Sequence, residues 1–546
     1  MGRATTGLWV IFAVMIGVSA GASVPRYDDI MPLSQVRAGM EGYGLTVFHG
    51  TRIERFRVRV VAVIRKGSWI APGHDMILVR MWGGPMTFPR RANAIRGMSG
   101  SPIYINGKII GAFSQAEPTA KEPLGGVTPI EDMLEAWDPN LPASPVAASL
   151  FERVQAARLD PPLRIGGRTI RRVVYNLPAA ARHYSRPDTL VLQRCATPVT
   201  FTSSNGAARR TLATALAPYN VELAAGAQGG PKPGFKGAPL VPGAAFSMML
   251  VTGDISVGAT GTVTYRRGNR MLGFGHPFLD IGPIEAPLAS AYIYDVYPLL
   301  AGSYKIAGEG PVVGASTQDR DFSVSGVLGK RPATVPISVD VTDRTTDRHK
   351  LYHAQAVAHP NLTSALVSAT VEAAIADLHS NPGPVMAHVT TTVEAEEIGT
   401  VTRTNTVFDS RSIEVAATSD LEELLNILTA NPFYPLGVVK ADVKVEIERG
   451  HRTAQIERVF VKEGKFRPGD TVDVGVVLKP YKQNPVTRVL HLAIPTNVPS
   501  GRYLLQVQGG SAPAALRIGN LILRTSPQQN PQESPPASIR QMISRY

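Results

Sequence analysis

Apolar and polar residues alternate along much of the chain, which is the pattern of β-strands buried on one face. In the clearest stretch the apolar face consists of Phe56, Val58, Val60, Ala62 and Ile64. The opposite face carries Arg55, Arg57 and Arg59. A second strand is predicted at Met76–Met81, a continuous apolar run that only Arg80 interrupts.

The strand patterns fall into two β blocks, from Met40 to about Asp138 and from Phe246 to about Asp343. Asn106-Gly107, between two apolar runs, predicts a type I′ hairpin in the first block. Helical patterns are confined to a few segments, chiefly Thr363 to about His379 and Asp420–Thr429. We therefore expect a mainly β protein with a mixed α/β segment after the second block.

The chain is again rich in strands from Gly437 onward. Four apolar residues alternate there with polar or small ones: Val472, Val474, Val476 and Leu478. Turns at Arg467–Asp470 and Pro499–Gly501 separate the runs, so we expect a small immunoglobulin-like β-sandwich, a common binding module. The tail that follows is rich in Pro, Gln and Ser and is predicted to be disordered.

The N-terminus has the pattern of a secretory signal peptide. Arg3 precedes the apolar run Leu8–Val18, and small residues follow, so we expect cleavage after Ala20 or Ala22. An uncleaved anchor is the alternative. No later stretch reaches eighteen apolar residues. We therefore expect an exported mature chain with no integral membrane span, located in the periplasm, the cell envelope or the extracellular space.

One turn of the first block has the residues of a nucleophile site, Gly97-Met98-Ser99-Gly100-Ser101-Pro102. Glycine on both sides lets the backbone turn sharply, so that the Ser99 hydroxyl stands clear of the chain. Gly97, two positions earlier, can present its N–H beside that of Ser99, and two such donors aimed at one point are what a tetrahedral oxyanion needs. The simplest alternative is a Gly-rich turn between two strands.

The second block contains a histidine in a comparable position. Gly275-His276-Pro277 follows a predicted strand, and a stiff, loop-like backbone suits a general base that must stay in place. A histidine that caps a turn is the alternative. His49 and His74 lie in turns of the first block and are rival bases.

Both motifs resemble segments of the SpoIVB peptidase family, which are trypsin-like serine peptidases. The serine segment is similar from Gly97 through Ala112, and Gly261–Tyr265 together with Gly273–His276 resembles the segment that carries the catalytic histidine. The resemblance implies that Ser99 is the nucleophile, that the N–H groups of Gly97 and Ser99 form the oxyanion hole, and that His276 is the general base. It covers about residues 39–138 and 241–343.

The chain departs from the family in two respects. The histidine segment comes first in the family, whereas Ser99 precedes His276 here, as in a circular permutation of two half-barrels. The family also has an acid about fifteen positions before the serine, but no Asp or Glu occurs between Met76 and Met98. Asp75 is the nearest upstream acid and is our candidate for the third member of the triad; Asp280 and Asp254 are the alternatives.

These patterns divide the chain into seven parts. They are a signal peptide (1–22), a serine-bearing trypsin-like β half-barrel (23–140), an intervening region with a linker rich in Gly and Pro (141–240), a histidine-bearing half-barrel (241–345), a helix–strand segment (346–435), the β-sandwich (436–523) and the tail (524–546).

Composition narrows the class of partner. The formal net charge is +13, but the basic residues are scattered with no run of five, so we expect a solvated basic surface and no nucleic-acid partner.

Cys195 is the only cysteine, which excludes an internal disulfide and a multi-cysteine zinc site. His349, His353 and His359 suggest a metal only weakly, because no Glu stands in an H-E-x-x-H position. We expect no metal and no cofactor.

Two functions fit these observations. The leading hypothesis is an exported serine endopeptidase that makes limited cleavages in a protein or peptide substrate, including the chain itself. The alternative is a catalytically inactive scaffold or binding protein of the envelope, built on the same fold. In either case the C-terminal β domain is a candidate surface for an envelope protein partner.

Overall fold

The computed structural model describes residues 27–65, 74–87, 89–116, 122–140, 155–165, 167–175, 186–194, 198–219, 221–224, 232–299, 302–380, 383–461, 464–497, 538–545 and the single residues 499, 501 and 507. The predicted signal peptide, Cys195 and most of the predicted tail lie outside these ranges. Where the tail is described, the prediction of disorder is wrong, because Ile539–Arg545 is a helix with Ile539 buried. The protein is mainly β, with 50% of residues in strands and 16% in helices, which confirms the predicted fold class at this level.

The strands, in chain order, are β1 (Glu41–Val47), β2 (Ile53–Ile64), β3 (Met76–Trp82), β4 (Pro102–Ile105), β5 (Lys108–Ala116), β6 (Leu124–Pro129), β7 (Gln155–Ile165), β8 (Arg168–Tyr175), β9 (Thr189–Arg194), β10 (Pro198–Phe201), β11 (Glu222–Leu223), β12 (Ala245–Gly253), β13 (Val257–Arg267), β14 (Arg270–Gly273), β15 (Gly282–Pro283), β16 (Pro287–Tyr297), β17 (Tyr304–Arg320), β18 (Ser323–Leu328), β19 (Thr334–Asp343), β20 (Arg348–Val357), β21 (Val385–Ala395), β22 (Gly399–Asp409), β23 (Val438–Arg449), β24 (Ala454–Val461), β25 (Thr471–Pro480) and β26 (Val486–Ala493). The α-helices are α1 (Ile130–Leu134), α2 (Gly206–Leu216), α3 (Thr363–Leu378), α4 (Ile413–Thr429) and α5 (Ile539–Arg545). Short 3-10 helices occur at Leu33–Gln35, Gly84–Met86, Glu135–Trp137 and Ala217–Tyr219.

Six strands of the first sheet close into a barrel. They pair in the order β4-β1-β2-β3-β6-β5, and the pairing of β4 with β5 completes the ring. The alternation predicted for β2 is confirmed as far as Val60, because Phe56, Val58 and Val60 are buried while the arginines between them are exposed. A bulge between Val60 and Ala62 then shifts the register.

The second sheet also contains a closed ring of six strands. Each of β12, β13, β14, β18, β17 and β16 pairs with the next, and β16 pairs back with β12. From β12 the sheet continues through β20 to β19, β23, β21 and β22. Helix α3 is buried along most of its length against β19 and β20, and α2 and α4 pack on it.

The sheets cross several of the predicted domain boundaries. Strands β7–β9 of the intervening region (141–240) extend the first sheet through the pairing of β9 with β5, and β10 of the same region pairs with β13. The histidine-bearing unit (241–345) and the helix–strand segment (346–435) share one sheet.

The predicted β-sandwich (436–523) differs in the same way. Its first strand, β23, lies between β19 and β21 in the second sheet. The rest of the sandwich, where the structure describes it, is the three-stranded sheet β24-β25-β26. The buried alternation of Val472, Val474 and Val476 is on β25, as predicted.

The two rings share part of their core. Met76 and Leu78 of the first ring belong to the same cluster of buried apolar side chains as Leu272 and Tyr265 of the second ring and the adjacent Phe322. Across the described residues, no helix has the length and apolar character of a membrane span.

Candidate active site

The serine turn connects the region after β3 to β4, and two of its glycines adopt conformations that favour this residue. Gly97 has a φ of +91° and Gly100 a φ of +92°. A Cβ at Gly100 would lie 2.0 Å from the Thr262 carbonyl oxygen and 2.5 Å from the Phe274 nitrogen, which no real side chain tolerates. The turn therefore needs glycine at position 100, because that position touches the backbone that leads to His276.

Strand β13 of the second ring holds the serine turn through three hydrogen bonds. The Thr262 N–H donates to the Ser99 carbonyl at 2.8 Å, and the Thr262 hydroxyl donates to the Gly97 carbonyl at 3.1 Å. The Thr264 hydroxyl donates to the Gly100 carbonyl at 2.7 Å. The serine turn thus belongs to the first ring in sequence but is positioned by the second.

Ser99 is buried at this junction. The residue is 1% exposed, and its Oγ has no hydrogen-bond partner among the described residues. Within the same part of the chain, the N–H groups of Gly97 and Ser99 donate no hydrogen bond, whereas those of Met98 and Gly100 do. Three polar groups within three residues therefore have no hydrogen-bond partner in the described part of the chain.

His276 follows the end of β14 and is fully buried. Its Nδ1 lies 2.7 Å from the Pro277 carbonyl oxygen. Because a carbonyl only accepts, Nδ1 carries the hydrogen, and in the neutral ring Nε2 is then the basic nitrogen. Phe274, two residues earlier, has a φ of +66°, a conformation that costs a bulky residue about 1–3 kcal/mol and that is found mainly at functional sites.

The carboxylate of Asp319 fixes the loop that follows His276. One oxygen accepts from the Phe278 N–H at 2.7 Å, and the other accepts from the Leu279 and Asp280 N–H groups at 2.6 and 2.9 Å. Asp319 lies on β17 and is 0% exposed. Successive backbone N–H groups that point at one anion form a rigid nest. Asp319 therefore acts on the position of the histidine through the backbone.

The structure brings the serine and histidine turns into backbone contact but does not join their side chains by a hydrogen bond. Gly100 packs on Phe274, and the Gly275 carbonyl accepts from the Thr128 hydroxyl of β6 at 2.7 Å. The Ser99 Oγ accepts and donates nothing here. Apo hydrogen bonds of catalytic groups are often absent or long and form only with substrate.

The three candidate acids lie in different surroundings. Asp75 precedes β3 and forms an ion pair with Arg65 at the end of β2. Asp280 lies in the loop that Asp319 holds, and Asp254 accepts from the His353 N–H at 2.8 Å. Asp319 could not be singled out from the sequence, because it follows His276 by many residues and lies within a strand.

The rival histidines also have partners. The His74 ring packs on Phe322, and its hydrogen bond with Asp132 raises the pKa of His74. His49 packs edge-on against Tyr292.

The weak metal candidates do not form a cluster. His349 contacts Asp340 at 2.7 Å, His353 is on the same strand, and burial lowers the pKa of His359. No group of three or more His, Cys, Asp or Glu residues in the described part of the chain is arranged to hold a metal ion.

Lys305 is a second residue that the sequence did not indicate. It lies on β17, directly beside the serine turn, and is 4% exposed. Burial lowers its pKa to about 7.

Comparison of the chain with protein-family models, with curated proteins and with solved structures found no match. The assignment of the site therefore rests on its geometry and on the resemblance of its two motifs.

Proposed function

We propose that the protein is a serine endopeptidase in which Ser99 is the nucleophile and His276 the general base. The observation that carries this proposal is the set of unused groups at the serine turn: the Ser99 hydroxyl and the N–H groups of Gly97 and Ser99. Buried polar groups are normally paired. Unpaired groups concentrated in one turn are best explained by a reacting group that completes them.

The architecture supports the same proposal. Two closed six-stranded β units, with the nucleophile turn in one and the histidine turn against it from the other, match the two-barrel arrangement that the resemblance to the SpoIVB peptidases implies. The permuted chain order does not alter the chemistry, because unrelated serine enzymes reach the same constellation in different orders.

The reaction follows from these roles. The Ser99 Oγ attacks the scissile carbonyl carbon while its proton passes to Nε2 of His276, and the carbonyl π electrons move onto the oxygen. The N–H groups of Gly97 and Ser99 donate to this oxyanion. The C–N bond then breaks, and His276 gives its proton to the leaving amine. Water, deprotonated by His276, releases the acyl group and restores Ser99.

The orientation of His276 does not need Asp75 in this scheme. Asp75 is engaged with Arg65, whereas the Pro277 carbonyl fixes the tautomer and Asp319 fixes the loop. A Ser–His pair whose imidazole is held in this way retains the essential base. The proposed substrate is a protein or peptide, which an exported chain, as the N-terminal pattern predicts, would meet outside the cytoplasm.

The burial of Ser99 and His276 favours one alternative, an inactive scaffold or binding protein. In the form described here a substrate carbonyl reaches the Ser99 Oγ only after neighbouring segments separate. A peptidase with this geometry is a closed form that opens on contact with its substrate or partner. A scaffold needs no such opening, because it binds no substrate at Ser99.

A fluorophosphonate probe distinguishes the two functions, because it reacts covalently with an activated serine. Wild-type protein should label, and both Ser99→Ala and His276→Ala should abolish labelling. Ser419→Ala and His349→Ala are matched controls, since both side chains are exposed and lie outside the site. Loss of labelling only in Ser99→Ala would assign the base to another residue, such as His49 or His74. A folded wild type that never labels, with or without envelope protein, would favour the scaffold.

A further inference from the structure

Lys305 is a buried lysine with no carboxylate beside it among the described residues. Its Nζ donates to the Thr46 hydroxyl at 2.8 Å, and it forms no salt bridge with any carboxylate of the described residues. Removing an ammonium from water is strongly unfavourable unless an anion and hydrogen bonds replace the hydration shell. One threonine hydroxyl does not do so, which is consistent with the lowered pKa of Lys305, near 7.

The position of Lys305 relates it to the serine turn. Its backbone N–H donates to the Arg96 carbonyl at 3.0 Å, so β17 runs alongside the turn. A Cβ built on Gly97 would lie 3.2–3.3 Å from three carbons of the Lys305 side chain. The stem of the lysine therefore packs directly on the residue whose N–H is the proposed oxyanion donor.

The head of the lysine reaches the other side of the same turn. Thr46, which accepts from Nζ, has its hydroxyl 3.5 Å from that of Thr262, and Thr262 donates to the Gly97 carbonyl. Lys305, Thr46 and Thr262 thus surround Gly97.

The charged groups on neighbouring elements are already paired. Arg96 of the turn faces Glu222 at 3.6 Å, and Asp295 on β16 pairs with Arg90. The only cause of the lowered Lys305 pKa is burial, with no contribution from these charges. The missing negative charge is therefore not supplied by the described residues of the protein.

We propose that Lys305 is the counter-charge for the oxyanion that forms at Ser99, and that it acts as a positioning residue through Gly97. This inference rests on the proposed function. When the Ser99 Oγ bonds to the substrate carbon, one negative charge develops on the carbonyl oxygen. That charge favours the ammonium form, so a neutral Lys305 takes up one proton from solvent. The proton returns to solvent when the oxyanion collapses.

An arylboronic acid tests the proposed role of Lys305, because its complex with Ser99 carries a lasting negative charge where the oxyanion would form. The Ser99 Oγ bonds to boron, its proton passes to His276, and boron becomes a tetrahedral anion. Isothermal titration of the wild-type chain at pH 8 in buffers of different ionisation enthalpy should show net proton uptake of up to one per site. Uptake should fall towards zero at pH 6, where Lys305 is already charged.

Variants separate charge from packing. Lys305→Met keeps the apolar stem of the side chain but removes the charge. At pH 6 it should bind boronate about 10- to 100-fold more weakly than the wild type, a smaller loss than the 10²–10³-fold fall in rate caused by removal of a direct oxyanion donor. At pH 8 its binding of boronate should be accompanied by no proton uptake. Lys305→Arg keeps the charge and should remain within a few-fold of wild type. Thermal unfolding of each variant checks that it is folded.

The outcomes are distinct. Equal boronate affinity and equal proton uptake in wild type and Lys305→Met would overturn the role of Lys305 while leaving the peptidase intact. Equal loss in the Met and Arg variants, together with lowered melting temperatures, would show a packing role and also overturn it. The absence of proton uptake in the wild type would do so without any variant. A wild type that binds no boronate and does not label with fluorophosphonate would refute the proposed function itself.

Discussion

Replacement of Asp319 by Asn should loosen the loop that carries His276. The carboxylate accepts three backbone hydrogen bonds, one on Oδ1 from Phe278 and two on Oδ2 from Leu279 and Asp280. An asparagine has a single acceptor oxygen. The orientation of the new amide that keeps more bonds places its oxygen where Oδ2 was, so that the Leu279 and Asp280 N–H groups still donate to it. The NH₂ group then faces the Phe278 N–H, and two donors oppose each other.

The magnitude follows from counting these bonds. Hydrogen bonds to a charged group contribute about 1.5–3 kcal/mol each, and neutral ones about 0.5–1.5 kcal/mol. One bond is lost and two are weakened, which sums to about 3–6 kcal/mol, and the easier burial of a neutral amide offsets part of this. We expect Asp319→Asn to destabilise the loop by about 2–4 kcal/mol.

Native-state hydrogen exchange measures this effect locally. The amides of Phe278, Leu279 and Asp280 should exchange about 30- to 1,000-fold faster in Asp319→Asn, since each 1.36 kcal/mol is a factor of ten. Asp295→Asn is the matched control: its carboxylate is about half exposed, pairs with Arg90, and should change stability by less than about 1 kcal/mol. The rate of fluorophosphonate labelling should fall in Asp319→Asn and not in the control. Unchanged exchange of the three amides would refute the reasoning.

Four further changes have defined outcomes. Gly100→Ala should lower the melting temperature and abolish probe labelling, because its Cβ would lie within 2.5 Å of two backbone atoms of the second ring, whereas Gly107→Ala, with open space around the new Cβ, should keep labelling. Lys305→Met should stabilise the fold in urea unfolding, by as much as about 5 kcal/mol for a pKa lowered from 10.5 to about 7. In the unfolded chain Lys305 keeps its proton up to about pH 10, whereas in the folded protein it loses the proton above about pH 7. The free energy of unfolding of the wild type therefore rises with pH between these values, and the stability advantage of Lys305→Met shrinks over the same range. An advantage that stays constant with pH would contradict this. Glu372→Gln should stabilise at pH 8 but not at pH 4, because burial raises the pKa of Glu372 to about 7, so wild-type stability falls as the pH rises from about 4.5 to 7. Asn205→Ala should destabilise by about 1–2 kcal/mol in the same assay, since Asn205 caps α2 by accepting from Ala207 and Ala208, and no change would show that the cap is redundant.

Local sequence patterns predicted the elements whose causes are local. The alternation of apolar and polar residues predicts strand β2. The hairpin predicted at Asn106-Gly107 has the two positive φ values, 51° and 77°, that a type I′ turn requires. Helix α3 begins at Thr363 and ends beside His379, as predicted. Helix α4 begins at Ile413, seven residues before the predicted Asp420, and its first turns already bury Ile413, Ala417 and Thr418.

Long-range pairing was not predictable in the same way. Strand β23 looks like the start of a separate domain in sequence, yet its two neighbours are β19, in parallel, and β21. The alternation of apolar and polar residues indicates that a strand is buried on one face, but it does not indicate which strand lies beside it. The domain boundaries drawn from composition therefore cut through a continuous sheet.

The same distinction between local and long-range causes applies to the residues of the candidate site. Ser99 and His276 stand in short motifs whose glycines and proline are visible in the sequence. Asp319 and Lys305 do not, because a carboxylate that caps a distant loop and a lysine that is buried under a distant turn look like ordinary polar positions of a strand. Only their placement on β17, which runs from the serine turn to the histidine loop, gives them a role.

The contacts of the serine turn do not depend on the order of the two rings along the chain. The serine turn comes early in the chain, but its carbonyls are held by Thr262 and Thr264, and its glycines are packed by Lys305 and Phe274, all from the second ring. None of these contacts depends on which ring is synthesised first. They depend on docking of the two rings, which adds to the bond that the Gly100 N–H donates to the Phe113 carbonyl of the first ring at 2.8 Å. The serine turn is therefore positioned by the association of the two β units.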